Sequence, residues 1–350
     1  MLKSELNRLA NNFMNKKILT IGIILLVLVI GVFYFVKNSG IQNNTTQNPT
    51  KISVALDWLP YAMHSGLYVA KERGYFAEEG LDVDIHAPAD AATILQTVAQ
   101  GRDNFGLNYQ PDVLLARSEG LPVVSVAALT QHSLAALMTL EESGLKRPRD
   151  LKGKRIGHAG VPLERLLFDT ILKNDGVKNG IEDVQFTNVG YDALTGLLAG
   201  QLDAASVYYT NQPIIAENQG RKVNIMKVTD YGVPDYYDLV IVTNEDMIKN
   251  NPKTVERFLR AATKGYKEAA ANPKEAIQLM KKLNPELDTA VADKEVLLEA
   301  PIWIASNGVF GWQEESRWLN FAQWMKDGGL LTKPVEARQA FTNSFIESLK

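Results

Sequence analysis

Ile52, Val54 and Leu56 alternate with Ser53, Ala55 and Asp57, the period of a β-strand with two unlike faces. Trp58-Leu59-Pro60 ends the run, because proline has no N–H for a central ladder. A helix fits Ser65 to Arg73, with Gly74 as its left-handed stop, and Leu81, Val83 and Ile85 begin a second alternating run. Strand, helix, strand predicts a right-handed parallel unit, and ligands in such sheets lie beyond the carboxyl ends of the strands. Asp57 and Trp58 stand there, a carboxylate beside a large flat ring, followed by Tyr61 and His64.

The same alternation continues. Short apolar runs at 105–107, 123–126, 155–157, 184–186, 204–207, 223–226 and 239–243 read as strands. Helical segments fill the gaps at 91–99, 113–119, 163–174 and 193–199, and from Pro252 onward the pattern is helical, through 254–271, 273–283 and 314–327. This predicts an α/β protein with mostly parallel sheets. The charged, turn-rich run GLKRPRDLKG at 144–153 marks a break, and Tyr236 to Asn244 reads as a return crossing. One lobe is therefore expected at about 51–143 and 240–350, the other at about 144–239.

Ahead of the body, Ile18 to Val36 is a charge-free apolar stretch. At about 1.5 Å per residue it nearly matches a hydrocarbon core of about 30 Å. It is too long for an ordinary signal-peptide core, and no small-residue cleavage site follows. Residues 18–36 are expected to be an uncleaved transmembrane signal anchor, with 1–17 as a cytoplasmic lead and the body outside, the rival reading being a long signal peptide cut near Asn38. Leu2, Leu6, Leu9 and Phe13 fall at helical spacing in the lead, as an amphipathic or simply basic segment. Residues 37–50, polar and turn-rich, read as a flexible linker of roughly 20 Å.

The net charge of −3 is unevenly placed, since residues 1–40 carry +4 and the remainder −7. A mildly acidic body without a basic tract argues against nucleic acid as a partner. The absence of cysteine excludes disulfides, cysteine-ligated zinc and a thiol nucleophile. No H-E-x-x-H, G-x-S-x-G, Walker loop or G-x-G-x-x-G is present, so neither a catalytic residue, a metal site nor a cofactor is assigned. His64, His86, His132 and His158 are scattered. The turn GHAGVP at 157–162 leads into a helix, whose free N–H groups favour anionic or polar ligand atoms.

Aromatics recur where strands end. Tyr109 follows Leu107, Tyr191 follows Val189, and Tyr208 and Tyr209 follow Val207, with Asn211 and Gln212 next. Trp58, Tyr109 and Tyr208 or Tyr209 are placed to sandwich a flat ring, while Asp57, Asn211 and Gln212 supply hydrogen bonds to its edge.

DWLPYAMHSGLYVA followed by GYFAEEGLDVDI resembles the thiamine-precursor class of ABC-transporter solute-binding proteins, which share a domain with the pyrimidine synthase of yeast thiamine biosynthesis. The resemblance runs on through FGLNYQPDVLLARSEGLPVVSVAAL, ESGLKRPRDLKGKRIGHAG and YGVPDYYDLVIVTNE, collinear over about 51–350. It implies a two-lobed periplasmic-binding-protein fold of type II that closes on a formylaminopyrimidine or hydroxymethylpyrimidine. It implies as partners a membrane permease and a cytoplasmic ATPase. Trp58 and Tyr109 are then ring contacts, Asp57 and His64 polar contacts, and Tyr208 or Tyr209 the second lobe's contribution.

Two departures qualify it. Asn108 and Asp112 stand where the synthases carry a pyridoxal-phosphate lysine and a consumed histidine, which counts against synthase chemistry. Asn211-Gln212 replaces the acidic residue that pyrimidine-binding relatives place after the second-lobe tyrosine. Three readings compete with pyrimidine capture: a synthase, a binder of another solute such as a sulfonate, and a membrane sensor. The 17-residue inner lead is too short for a signalling domain.

Overall fold

The alternating run at the start of the body is strand β1, Thr50–Ala55, in a computed structural model that describes residues 48–349. The expected lead and membrane segment lie outside the described residues, as does most of the linker. Among the described residues no helix is long and apolar enough to cross a membrane.

After β1 come β2 (Leu81–His86), β3 (Phe105–Asn108), β4 (Val123–Ala128), β5 (Ala135–Leu140), β6 (Arg155–His158), β7 (Gln185–Asn188), β8 (Ala204–Tyr208), β9 (Val223–Lys227) and β10 (Val240–Asn244). They form two five-stranded sheets with one plan, β2-β1-β3-β10-β4 and β7-β6-β8-β5-β9. β1 runs parallel to β2 in unbroken register from Thr50↔Leu81 to Ala55↔His86. In each sheet the fourth strand is antiparallel to both neighbours, β10 in the first and β5 in the second. The sheets are mixed, not mostly parallel, because each fourth strand enters along a crossing rather than through a βαβ unit.

β5 also moves the expected division. The chain leaves the first sheet after Ala128 and joins the second at Ala135, ahead of the charged break at 144–153. It returns between Lys227 and Val240. The two crossings are laced together, with Leu129 and Thr130 N–H both donating to Leu239 O at 2.9 and 3.1 Å, and Leu239 N–H to Thr130 Oγ1 at 2.8 Å. The C-terminal part does not belong to one lobe alone. Trp318 and Phe321 of the helix Glu315–Asp327 share a core with Val113 and Val242 beside the first sheet and with Leu137 and Phe168 beside the second.

One helix crossing fixes the ground beneath the start of the site. The helix Ser65–Glu72 lies on Pro252–Ala271 with two glycines at the contact. A Cβ on Gly265 would stand 2.1 Å from the Gly66 carbonyl oxygen, and one on Gly66 would enter the Tyr266 ring at 2.4 Å. Tyr266 in turn donates to the Met63 carbonyl at 2.9 Å, just before the first helix. Gly265→Ala must push the backbones apart and is expected to cost about 2 kcal/mol by urea unfolding, an ordinary penalty for overpacking. An unchanged midpoint would show that the crossing yields freely.

Candidate functional site

Beyond β1 the chain turns at Pro60 and coils through the short turn Ala62–His64, which brings His64 back over Asp57. The His64 ring is fully buried, and its Nδ1 accepts the Tyr61 N–H at 3.4 Å. That places the ring proton on Nε2, which faces Asp57 Oδ1 at 2.7 Å. Asp57 Oδ2 accepts from the phenols of Tyr109 at 2.8 Å and Tyr61 at 3.3 Å. A carboxylate only 3% exposed is thus held by three donors, one of them from β3's end. Buried charges persist only when satisfied in this way.

Tyr208, the last residue of β8, brings the second sheet to the same place, where its phenol is bonded to that of Tyr109. Burial, and after it the charge of Asp57, raises the Tyr61 and Tyr109 phenols well above their usual range. For Tyr208 burial acts first and Asp238 next. All three phenols therefore keep their hydrogens at neutral pH. Their rings remain half-buried.

Trp58 stands at the rim, 44% exposed, with its ring 4.8 Å from that of Tyr191 at an interplanar angle of 45°. Tyr191 comes after β7, so this pair also joins the two sheets.

The remaining expected contacts are otherwise engaged. Tyr209 packs against the second lobe's core with Lys227 Nζ 3.9 Å over its ring. Gln212 turns its Oε1 back to the Tyr208 N–H at 2.8 Å. Asn211 donates through Nδ2 to Glu295 at 2.9 Å. One turn further along the same helix, Glu299 accepts from Thr210 Oγ1 at 3.2 Å. Both glutamates are buried, and neither is among the residues expected from sequence. Their signal is faint, two acids spaced i, i+4 in the otherwise mixed run TAVADKEVLLE.

The turn at 157–162 is not an open anion cradle. Glu164 occupies it, accepting the N–H groups of Ala159 and Val161 at 3.3 and 3.1 Å. A glutamate three residues into a helix satisfies those donors itself. The other histidines also pair with acids, His86 with Asp103, His132 with Asp235 and His158 with Glu164. Asn108 accepts the Tyr109 N–H through Oδ1 at 2.8 Å.

Two sheets of one strand order, whose strand ends meet through Asp57, Tyr109 and Tyr208, define a two-lobed α/β binding-protein fold. The periplasmic aliphatic sulphonate binding protein SsuA from Escherichia coli has it, with a TM-score of 0.65 at 16% identity over 83% of this chain and 92% of that one. Residues 62–276 match the family described as NMT1/THI5 like, and the chain belongs to that family. It is 35% identical to the formylaminopyrimidine-binding protein of Halalkalibacterium halodurans over 86% of this chain and 93% of that protein. It is 28% identical to the riboflavin-binding protein RibY of Chloroflexus aurantiacus over 95% and 98% respectively.

Proposed function

We propose that this chain is the extracytoplasmic solute-binding component of an ABC importer and captures an amino-substituted pyrimidine of the thiamine-precursor kind. The observation that carries the reading is the acceptor-rich cluster around Asp57 where the two lobes meet. Tyr61 and Tyr109 commit their hydrogens to Asp57, so what they offer a ligand is oxygen lone pairs. Such a cluster suits the N–H groups of an exocyclic amine and repels a sulfonate. The helix start that could have held an anion is filled by Glu164. Trp58, Tyr109 and Tyr208 give a flat ring something to lie against, and the formylaminopyrimidine-binding relative supports the ligand class.

In this reading Asp57 and His64 set the geometry of the cluster, and the phenols touch the ligand. Tyr209, Asn211 and Gln212 act from behind by shaping the turn that presents Tyr208. Ile18 to Val36 tethers the body to the membrane beside its permease. A second reading, a larger flat heterocycle, is favoured by the exposed Trp58–Tyr191 pair and by RibY. Synthase chemistry lacks its amine, since Asn108 stands in place of the lysine.

Calorimetric titration of the full chain with formylaminopyrimidine, hydroxymethylpyrimidine, riboflavin and an alkanesulfonate separates these readings. Micromolar or tighter binding of a pyrimidine is expected, with silence toward the sulfonate. Sulfonate binding with no response to either pyrimidine would overturn the assignment.

A further inference from the structure

Glu295 and Glu299 lie one turn apart on the helix Thr289–Glu299, and both point inward, with exposures of 2% and 0%. Their partners come from both lobes. Glu295 takes the side-chain amide of Asn211 beyond β8 and the backbone N–H of Ala62 beyond β1. Glu299 Oε1 takes the Thr210 hydroxyl, while its Oε2 finds no donor. An acceptor without a donor, fully buried and beside a second carboxyl, is the place where a carboxyl keeps its own hydrogen.

Among the described residues the surroundings supply no countercharge. Asp57 and Tyr61 face the pair from beyond β1, Tyr209 from beyond β8, and Tyr266 from the helix Pro252–Ala271. His64 turns its Nε2 to Asp57. On the neighbouring helix Pro273–Leu283, Lys281 binds the carbonyls of Pro285 and Leu287 and Lys282 is exposed. Lys294 binds Asn218, Glu217 of the helix Gln212–Asn218 is exposed, and Asp293 is half-buried.

We propose that Glu295 and Glu299 share a proton and, in that form, are positioning residues that hold the Thr210–Gln212 turn of the second lobe against the first, so that closure on a ligand takes up a proton. The turn they hold presents Tyr208, and the wall they brace carries Tyr61. Burial raises Glu295 to about 7 and lifts Glu299 well above the usual carboxylate range, the nearness of Glu295 adding to the latter. Opening the lobes parts Thr210 and Asn211 from the helix and lets water reach the carboxyls. They then return toward the ordinary carboxylate range and release the proton. The closed form therefore binds more protons. It is favoured below the ordinary carboxylate range and loses ground as pH rises through about 7.

The inference rests on the two-lobed capture proposed above, and two measurements keep their failures apart. The first is titration of the full chain with formylaminopyrimidine at about pH 7.5 in two buffers of unequal ionisation enthalpy. Wild type is expected to take up about one proton per ligand and Glu299→Gln close to none, and raising the pH by one unit is expected to weaken wild-type binding about tenfold while leaving Glu299→Gln nearly unchanged. Asp238 at the hinge is also raised to about 7 by burial, so Asp238→Asn serves as the control and should leave the proton count unchanged.

The second measurement needs no ligand. Because the chain has no cysteine, Asp82→Cys on β2 and Gln185→Cys on β7 take spin labels uniquely, and both positions are exposed. The distance between lobes is expected to lengthen between about pH 5 and pH 9, and to stay constant when Glu295→Gln and Glu299→Gln are added. A distance indifferent to pH in the parent, or equally responsive in the quadruple variant, would overturn the inference whether or not a pyrimidine binds. Binding without proton uptake would overturn it and leave the function standing.

Discussion

Asp57→Ala is expected to weaken pyrimidine binding by about 100-fold or more, near 2.7 kcal/mol, and to lower stability by about 2 to 3 kcal/mol. The reason is the number of donors that converge on one carboxylate. His64 Nε2 at 2.7 Å, Tyr109 at 2.8 Å and Tyr61 at 3.3 Å all lose their acceptor together. His64 has no access to water, so its unmet N–H carries the stability loss. The two phenols, half-buried, rotate toward water or ligand, and their hydrogens are no longer committed to one acceptor. Asp57→Asn separates the effects. One amide oxygen still accepts, but the NH2 group faces a donor, so the fold is expected to recover more than the binding does. Calorimetry with urea unfolding on the two variants reads both quantities. Full affinity in Asp57→Ala would move the ligand out of this site.

The parts of the site legible in the sequence are those fixed by the ends of parallel strands. β1 alternates cleanly, and the residues at or just past the ends of β1, β3 and β8, namely Asp57, Tyr109 and Tyr208, meet as the strand logic requires. Residues in the turn after β8 are less constrained. Tyr209, Asn211 and Gln212 sit in a turn whose side chains diverge, and spacing alone does not say which one faces the site. β5 is illegible for a different reason. Its run AALMTL is buried on both faces and rich in good helix formers, so neither period nor propensity marks a strand. The helix Thr289–Glu299 reverses the usual pattern, burying Glu295 and Glu299 while Leu297 and Leu298 are about half exposed. A helix whose polar residues face inward shows no apolar stripe, and its two carboxyls are hidden with it.

Trp58→Ala is expected to weaken binding by about 30-fold while changing stability by less than about 0.5 kcal/mol. The contrast with Asp57 comes from exposure. At 44% exposed, with a ring partner in Tyr191 that is 71% exposed, Trp58 adds little to the core and leaves no buried polar group behind. Its area becomes useful only when a ligand covers it. Removing a large ring from a stacked contact forfeits both that apolar area and about 0.5 to 1.5 kcal/mol of aromatic geometry. Tyr191→Ala tests whether the rim works as a unit. If one ligand ring touches both side chains, the double variant should lose less than the sum of the single losses, by about 0.5 kcal/mol or more. Strict additivity would mean that the two rings meet the ligand separately. Unchanged affinity in Trp58→Ala would place the ligand deeper, against Tyr109 and Tyr208, and leave the rim pair to link the two lobes.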